Sequence, residues 1–294
     1  MLVHALVRED GTVAADELYD VAGALGMSDQ QVRLCVKRLV AEERFSHEGR
    51  GRGATLRATG TTLRALAPNA DFLGYAFRQD AGLAPWDGVW HLTAFAVPES
   101  ERPARDALRE KLLYLGGAPL QGGLYVSAGA WEPYVEEAAR RLGAHGALTL
   151  LTTTDLRRGD TREPAALAQE LWPLPEIADR YHRLARVARP RLYLLGGPDP
   201  LTATQRLTVA VELAAELSRA LEPDPLLPPE LLPRPWPGTE ARTLVARSWA
   251  ALQARDDRDG GTGGTRPVLF RRYAQIAREA AARVGGGASD GSIG

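Results

Sequence analysis

Apolar residues recur every three or four positions in two neighbouring segments near the N-terminus, which predicts two consecutive amphipathic helices. The first would cover residues 16–25 and end at Gly26. The second would begin after Ser28 and run to about residue 41, because Ser28 and Gln31 have the spacing of a capping box. Its buried face would be formed by four apolar residues at i, i+3, i+4 and i+7: Val32, Cys35, Val36 and Leu39. At such a position a thiol is expected to be buried and inert.

The opposite face of the second helix would carry Gln30, Arg33, Leu34 and Lys37. Two short strands over 44–48 and 54–58 follow, joined by a glycine-rich turn that contains Arg50 and Arg52. A short helix over 2–8, a helix, a tight turn, a third helix and a basic hairpin form the pattern of a winged helix-turn-helix. In that fold the third helix enters the major groove of DNA and the hairpin contacts the flanking backbone.

Residue chemistry supports DNA contact by these elements, since arginine can pair with guanine and glutamine with adenine. A glycine-flanked arginine can approach phosphates or the minor groove closely. The alternative for Arg33, Lys37, Arg50 and Arg52 is a solvated basic face. Either Arg38 or Arg44 could instead pair with Glu42 or Glu43. The candidate DNA-binding residues are Ser28, Gln30, Gln31, Arg33, Leu34, Lys37, Arg50 and Arg52.

The middle of the chain alternates between strand and helix patterns. Strands are predicted over 90–97, 123–127 and 147–154, with amphipathic helices over 99–115 and 132–142. This alternation favours a small ferredoxin-like α+β sandwich.

The remaining segments are mainly helical. A short helix is expected around 71–77, and apolar residues recur at helical spacing over 177–187 and 207–221. The proline-rich stretch 223–237 excludes a regular helix, 256–265 is predicted to be a loop, and 268–284 a last helix.

Together these patterns predict an α+β protein with several parts. They are a winged helix-turn-helix domain, a linker, a ferredoxin-like domain, a mostly helical domain and a disordered tail, over 1–66, 67–87, 88–160, 161–285 and 286–294.

Composition narrows the possible functions. The chain has 294 residues, of which 45% are hydrophobic and 25% charged, and its net charge is -1. These values exclude a disordered polyelectrolyte and a uniformly basic nucleic-acid binder. The charge is nevertheless polarised, because residues 1–32 carry a net charge of -5 and residues 33–64 a net charge of +5.

Cysteine and histidine usage bears on metals and compartment. A single cysteine excludes an intramolecular disulfide and a cysteine-rich zinc site. None of the 5 histidines has a neighbouring ligand at metal spacing, so we expect no metal and no cofactor. No leader or membrane-spanning stretch is recognisable, which favours a cytoplasmic protein without a membrane partner.

Four segments resemble the PaaX family of bacterial transcriptional regulators. Residues 28–60 read SDQQVRLCVKRLVAEERF followed by RGRGATLRATG, and residues 85–127 read PWDGVWHLTAFAVPESERPARDALREKLLYLGGAPLQGGLYVS. Residues 171–184 read LWPLPEIADRYHRL, and residues 224–238 read DPLLPPELLPRPWPG. The resemblance spans roughly residues 15–250 in the family's order.

This resemblance implies a dimeric repressor or activator that binds operator DNA and is released by a small effector. In the best-known members the effector is phenylacetyl-coenzyme A, and phenylacetate catabolism is controlled. The hairpin departs from the family pattern, because Thr55 and Leu56 stand where an aromatic pair is usual. The predicted partners are therefore double-stranded operator DNA, a second copy of the chain and a small effector.

The central domain contains a candidate effector site, and two other functions are possible for the chain. Trp90 together with Arg102, Arg105 and Arg109 could bind an aryl thioester with phosphates, although such a tryptophan is more often a core residue. One rival is a metal-dependent nuclease, since the central domain resembles the fold of CRISPR adaptation nucleases. The first strand of that domain, however, ends at Phe95-Ala96-Val97 without the required carboxylate. The other rival is a regulator without a ligand, whose helical C-terminal domain only dimerises.

Overall fold

The computed structural model describes residues 2–8, 10–60, 62, 69–199, 201–258 and 275. Helices and two antiparallel sheets are both present, in agreement with the α+β class. The chain divides into two compact units, one of 1–77, 182–218 and 239–294, the other of 78–181 and 219–238. Of the helices the structure describes, none combines the length and the apolar character that crossing a bilayer requires.

The described residues of 2–60 form three α-helices and a three-stranded sheet. The elements are α1 (Leu2–Ala5), β1 (Thr12–Ala14), α2 (Ala15–Ala24), α3 (Asp29–Ala41), β2 (Phe45–Glu48) and β3 (Thr55–Ala58). The sheet is antiparallel in the order β1-β3-β2. Both predicted amphipathic helices and the predicted hairpin are confirmed as elements. The sequence did not indicate β1, because three residues are too few to display an alternating pattern.

One apolar core holds these elements together. Leu18 and Val21 of α2 pack with Val32 and Leu39 of α3, and Val211 from a later helix joins them. Full burial of each of these side chains stabilises the fold by about 1.5–3 kcal/mol. Two residues of the predicted buried face of α3, Cys35 and Val36, are only partly buried, so the expectation of a buried thiol is met only in part.

The second unit is built around a four-stranded antiparallel sheet in the order β5-β6-β4-β7. Its elements are β4 (Trp90–Phe95), α5 (Arg102–Tyr114), β5 (Ala118–Gln121), β6 (Leu124–Ser127), α6 (Glu132–Arg141) and β7 (Leu148–Thr153). The connectivity is therefore β–α–β–β–α–β, with one strand more than the sequence predicted. The additional strand, β5, contains Pro119 and lies at the sheet edge, where a missing N–H donor is tolerated.

The other helices are α4 (Asn69–Asp80), α7 (Pro164–Leu171), α8 (Leu174–Gly196), α9 (Ala203–Leu221) and α10 (Pro237–Arg258). The helical periodicities read from the sequence fall within α8 and α9. The proline-rich stretch contains a 3-10 turn at Pro229–Leu231 and no α-helix before Pro237, where α10 begins, as expected. The loop predicted over 256–265 is wrong at its start, because α10 continues to Arg258. The predicted last helix and disordered tail lie outside the described residues.

Buried polar contacts anchor the proline-rich stretch within the second unit. The Tyr181 hydroxyl donates to the Asp224 carboxylate, which also accepts the Leu226 N–H at 2.9 Å. The Gln79 amide donates to the Leu226 carbonyl at 2.8 Å. These bonds satisfy polar groups that would otherwise be costly to bury.

Candidate nucleic-acid interface

The start of α3 is fixed by a reciprocal cap between two of the candidate DNA-binding residues. The Ser28 hydroxyl accepts the Gln31 N–H at 3.3 Å, and the Gln31 side-chain oxygen accepts the Ser28 N–H at 2.8 Å. Gly26 precedes this cap with a φ of 79°, which a glycine adopts without strain. The tight turn between α2 and α3 is thus built from local contacts, and the predicted capping box is confirmed.

The outer face of α3 presents donors that lack acidic partners. Gln30, Arg33, Leu34 and Lys37 are all exposed, as the helical spacing predicted. Within the described part of the chain, Arg33 and Lys37 have no carboxylate within ion-pair distance. Arg38, in contrast, pairs with Glu42 at 3.7 Å. Of the cations on this helix, Arg33 and Lys37 therefore remain available to an anionic partner.

A groove of about 400 Å³ lies between α3 and the hairpin. Arg33 and Lys37 line its α3 side, and His47 and Gly51 line its hairpin side. Its apolar lining comes from Ala15, Leu18, Val36, Val40 and Leu56. The fold thus brings the cations of α3 and the glycine-rich turn to one concave surface.

The hairpin tip is attached to α2. The Arg52 guanidinium lies 2.7 Å from an Asp20 carboxylate oxygen and 5.5 Å from the centre of the Tyr19 ring. Arg50 is exposed and, among the described residues, has no acidic partner. Tyr19 and Asp20 gave no signal in the sequence, because they are distant from the hairpin along the chain and carry no motif.

The protonation state of His4, which lies near Arg44 and Phe45, shows which side chains carry the positive charge in this region. Partial burial, the positive N-terminal amino group and Arg44 lower the pKa of His4 from 6.5 to about 4. Its ring packs edge-on against Phe45 with centroids 5.3 Å apart. At neutral pH His4 is therefore neutral, and the positive charge here comes from arginine and lysine.

The candidate effector residues lie in different environments within the second unit. Trp90 is 1% exposed, stacks on Trp172 at 6.3 Å and meets Trp86 edge-on at 5.1 Å. Trp90 is thus a core residue, the alternative that the sequence left open.

The three arginines of α5 are on the surface. Glu99 accepts a hydrogen bond from Arg105 at 2.6 Å, and this bond raises the pKa of the Arg105 guanidinium. Arg102 lies 3.8 Å from the same carboxylate, and Arg109 is exposed.

A small cavity of about 20 Å³ with a mixed polar and apolar lining lies elsewhere in this unit, beside a hydrogen bond between His91 and Glu132. Its volume matches a single water molecule rather than an organic ligand. Among the residues that the structure describes, no cluster of three or more histidine, cysteine or acidic side chains could hold a metal ion.

Comparisons with known proteins identify most of the chain beyond the N-terminal segment. Residues 83–167 match the family model described as the PaaX protein central Cas2-like domain, and residues 172–258 match the PaaX-like protein C-terminal domain. The transcriptional repressor PaaX of Escherichia coli is 26% identical over 244 residues, which are 82% of this chain and 74% of the relative.

A solved structure also aligns with the chain. The uncharacterized protein Rv0674 from Mycobacterium tuberculosis is 24% identical, with a TM-score of 0.48 over 84% of this chain and 91% of that one.

Proposed function

The chain belongs to the PaaX family of transcriptional regulators, and on that premise we propose that it binds operator DNA through its N-terminal elements. Residues 1–66 would form a winged helix-turn-helix domain, with α3 as the recognition helix and the β2–β3 hairpin as the wing. The second unit's β–α–β–β–α–β sheet is read as a ferredoxin-like domain, consistent with the Cas2-like family model.

The exposed, acid-free face of α3 is the observation that carries this proposal. A recognition helix needs long donors on one face and apolar packing on the other. Arg33 and Lys37 meet the first requirement, and Val32 and Leu39, both nearly fully buried, meet the second. Arg50 and Arg52 at the hairpin would then contact phosphates, which position the protein without reading sequence.

Repression, dimerisation and effector release are proposed from kinship with the Escherichia coli repressor and from the family resemblance. A two-fold dimer would require an inverted-repeat operator with half-sites one or two helical turns apart. The proposed effector is an aryl-coenzyme A thioester, for which Arg109 is an exposed cation on α5. A nuclease is not proposed, because no carboxylate stands at the end of β4, which closes at Phe95.

The test is fluorescence anisotropy of the purified full-length chain on its own upstream intergenic DNA and on a shuffled duplex of the same composition. Arg33→Ala should weaken binding to upstream DNA by about 1–3 kcal/mol and relax the base preference at one position. Arg52→Ala should weaken binding to all sequences and lower the salt slope by about 1. Arg157→Ala, which removes an exposed arginine paired with Asp155 in the second unit, is the matched control and should change neither.

Equal, sequence-independent losses for Arg33→Ala and Arg52→Ala would contradict the assignment of α3. Equal affinity of the unaltered chain for upstream and shuffled DNA would contradict specific binding at that site. Adding phenylacetyl-coenzyme A tests the effector separately. Release of upstream DNA supports this ligand class, whereas unchanged binding rules out phenylacetyl-coenzyme A as the effector and leaves the regulator proposal in place.

A further inference from the structure

Leu34 occupies the centre of the outward face of α3. At about 100° per residue, it lies about 160° around the helix from Val32 and about 140° from Leu39, the two buried contacts that anchor α3. Gln30 precedes it by one turn and Lys37 follows it by nearly one turn, so both flank it on the same face. A helix that inserts this face into a groove places Leu34 deepest.

Its chemistry is unlike that of its neighbours. Leu34 is 61% exposed, and within the described residues of 2–60 it is the one large apolar side chain classed as exposed. It does not line the groove beside the hairpin, whose lining on α3 comes from Arg33, Val36, Lys37 and Val40. The face that would meet base edges therefore combines polar donors with one apolar side chain at its middle.

The major groove offers one apolar group on the bases, the 5-methyl group of thymine. A leucine among the base edges gains by burying against that methyl group and loses by desolvating the polar edge of a G·C pair. We propose that Leu34 contacts a thymine methyl group in the operator and selects a T·A pair at that position. This inference rests on the proposed role of α3 as the recognition helix. The alternative is that Leu34 is an ordinary exposed leucine, which is common on protein surfaces. In that case the DNA affinity should not depend on the thymine methyl group.

Replacing thymidine by deoxyuridine in the upstream DNA provides the test, because it removes the methyl group and keeps the base pairing. Burying one methyl group contributes about 0.8 kcal/mol, so the unaltered chain should bind the deoxyuridine duplex about fourfold more weakly per contacted thymine. Leu34→Ala should bind the thymidine duplex more weakly by a similar factor and should not distinguish the two duplexes. Leu34→Met, which keeps an apolar side chain, should retain the preference for thymidine.

Lys37→Ala is the matched control on the same face, and it should weaken binding to both duplexes while keeping the ratio between them. Duplexes with single deoxyuridines then locate the contacted base pair. Circular dichroism should be unchanged in Leu34→Ala, because the side chain lies outside the core.

Two results would overturn the role of Leu34 while leaving sequence-specific binding intact. One is equal affinity of the unaltered chain for both duplexes together with preference for upstream over shuffled DNA. The other is an undiminished deoxyuridine effect in Leu34→Ala, which would place the methyl contact elsewhere. If the unaltered chain binds upstream and shuffled DNA equally well, that result would instead overturn the recognition-helix proposal, and the role of Leu34 with it.

Discussion

The ion pair between Arg52 and Asp20 sets up a competition that can be measured. If Arg52 binds a DNA phosphate through the guanidinium nitrogen that now contacts Asp20, the 2.7 Å contact must first break. Both side chains are about half exposed, at 56% and 50%. A pair of that exposure is worth about 0.2–1 kcal/mol, so Asp20→Asn should raise DNA affinity by about 1.4- to fivefold.

The assay is anisotropy on upstream DNA at several salt concentrations. Asp16→Asn is the control for the general effect of removing one negative charge from α2. Asp16 accepts the Glu17 N–H at 2.8 Å and, among described residues, has no ion-pair partner. The gain of Asp20→Asn over Asp16→Asn isolates the release of Arg52, and it should vanish when Arg52→Ala is also present.

Two outcomes would refute this reasoning. Equal gains for Asp20→Asn and Asp16→Asn would mean that only long-range charge matters. A gain that persists in the Arg52→Ala background would mean that Asp20 opposes DNA by a route independent of Arg52.

The remaining predictions concern stability. Ser28→Ala removes the hydroxyl that accepts the Gln31 N–H, and it should lower the free energy of unfolding, measured by urea denaturation, by about 1 kcal/mol. Gly116→Ala should cost about 3 kcal/mol or more, because φ is +84° and a Cβ would lie 2.5 Å from the Pro225 carbonyl oxygen, whereas Gly146→Ala, with open space, should be nearly neutral. The pKa of His4 is about 4 in the folded protein and 6.5 in the unfolded chain, so the unfolded chain binds the proton more readily. The stability that neutral His4 contributes to the fold is therefore fully present above pH 6.5 and is lost progressively as pH falls toward 4. Unfolding at pH 7.5 and 5 should show a smaller decline for His4→Phe than for the unaltered chain, and an equal decline would contradict that source.

Elements with a strong local signal were predictable. The helix α3, its cap and its exposed face follow from spacing within one segment, and the pairing of Arg38 with Glu42 follows from their i, i+4 relation. Strands β1 and β5 escaped prediction, since one is too short to show alternation and the other contains a proline. The predicted loop over 256–265 was wrong at its start, since α10 continues to Arg258.

The sequence by itself determined the helices α2 and α3, the polar and apolar faces of α3 and the basic hairpin, because these depend on residues within a few positions of one another. It also carried the family resemblance that the models for residues 83–167 and 172–258 bear out. Only the tertiary structure placed Asp20 and Tyr19 against Arg52 and put Trp90 in a core against Trp172. These depend on contacts between residues far apart in the chain, which leave no local pattern in the sequence.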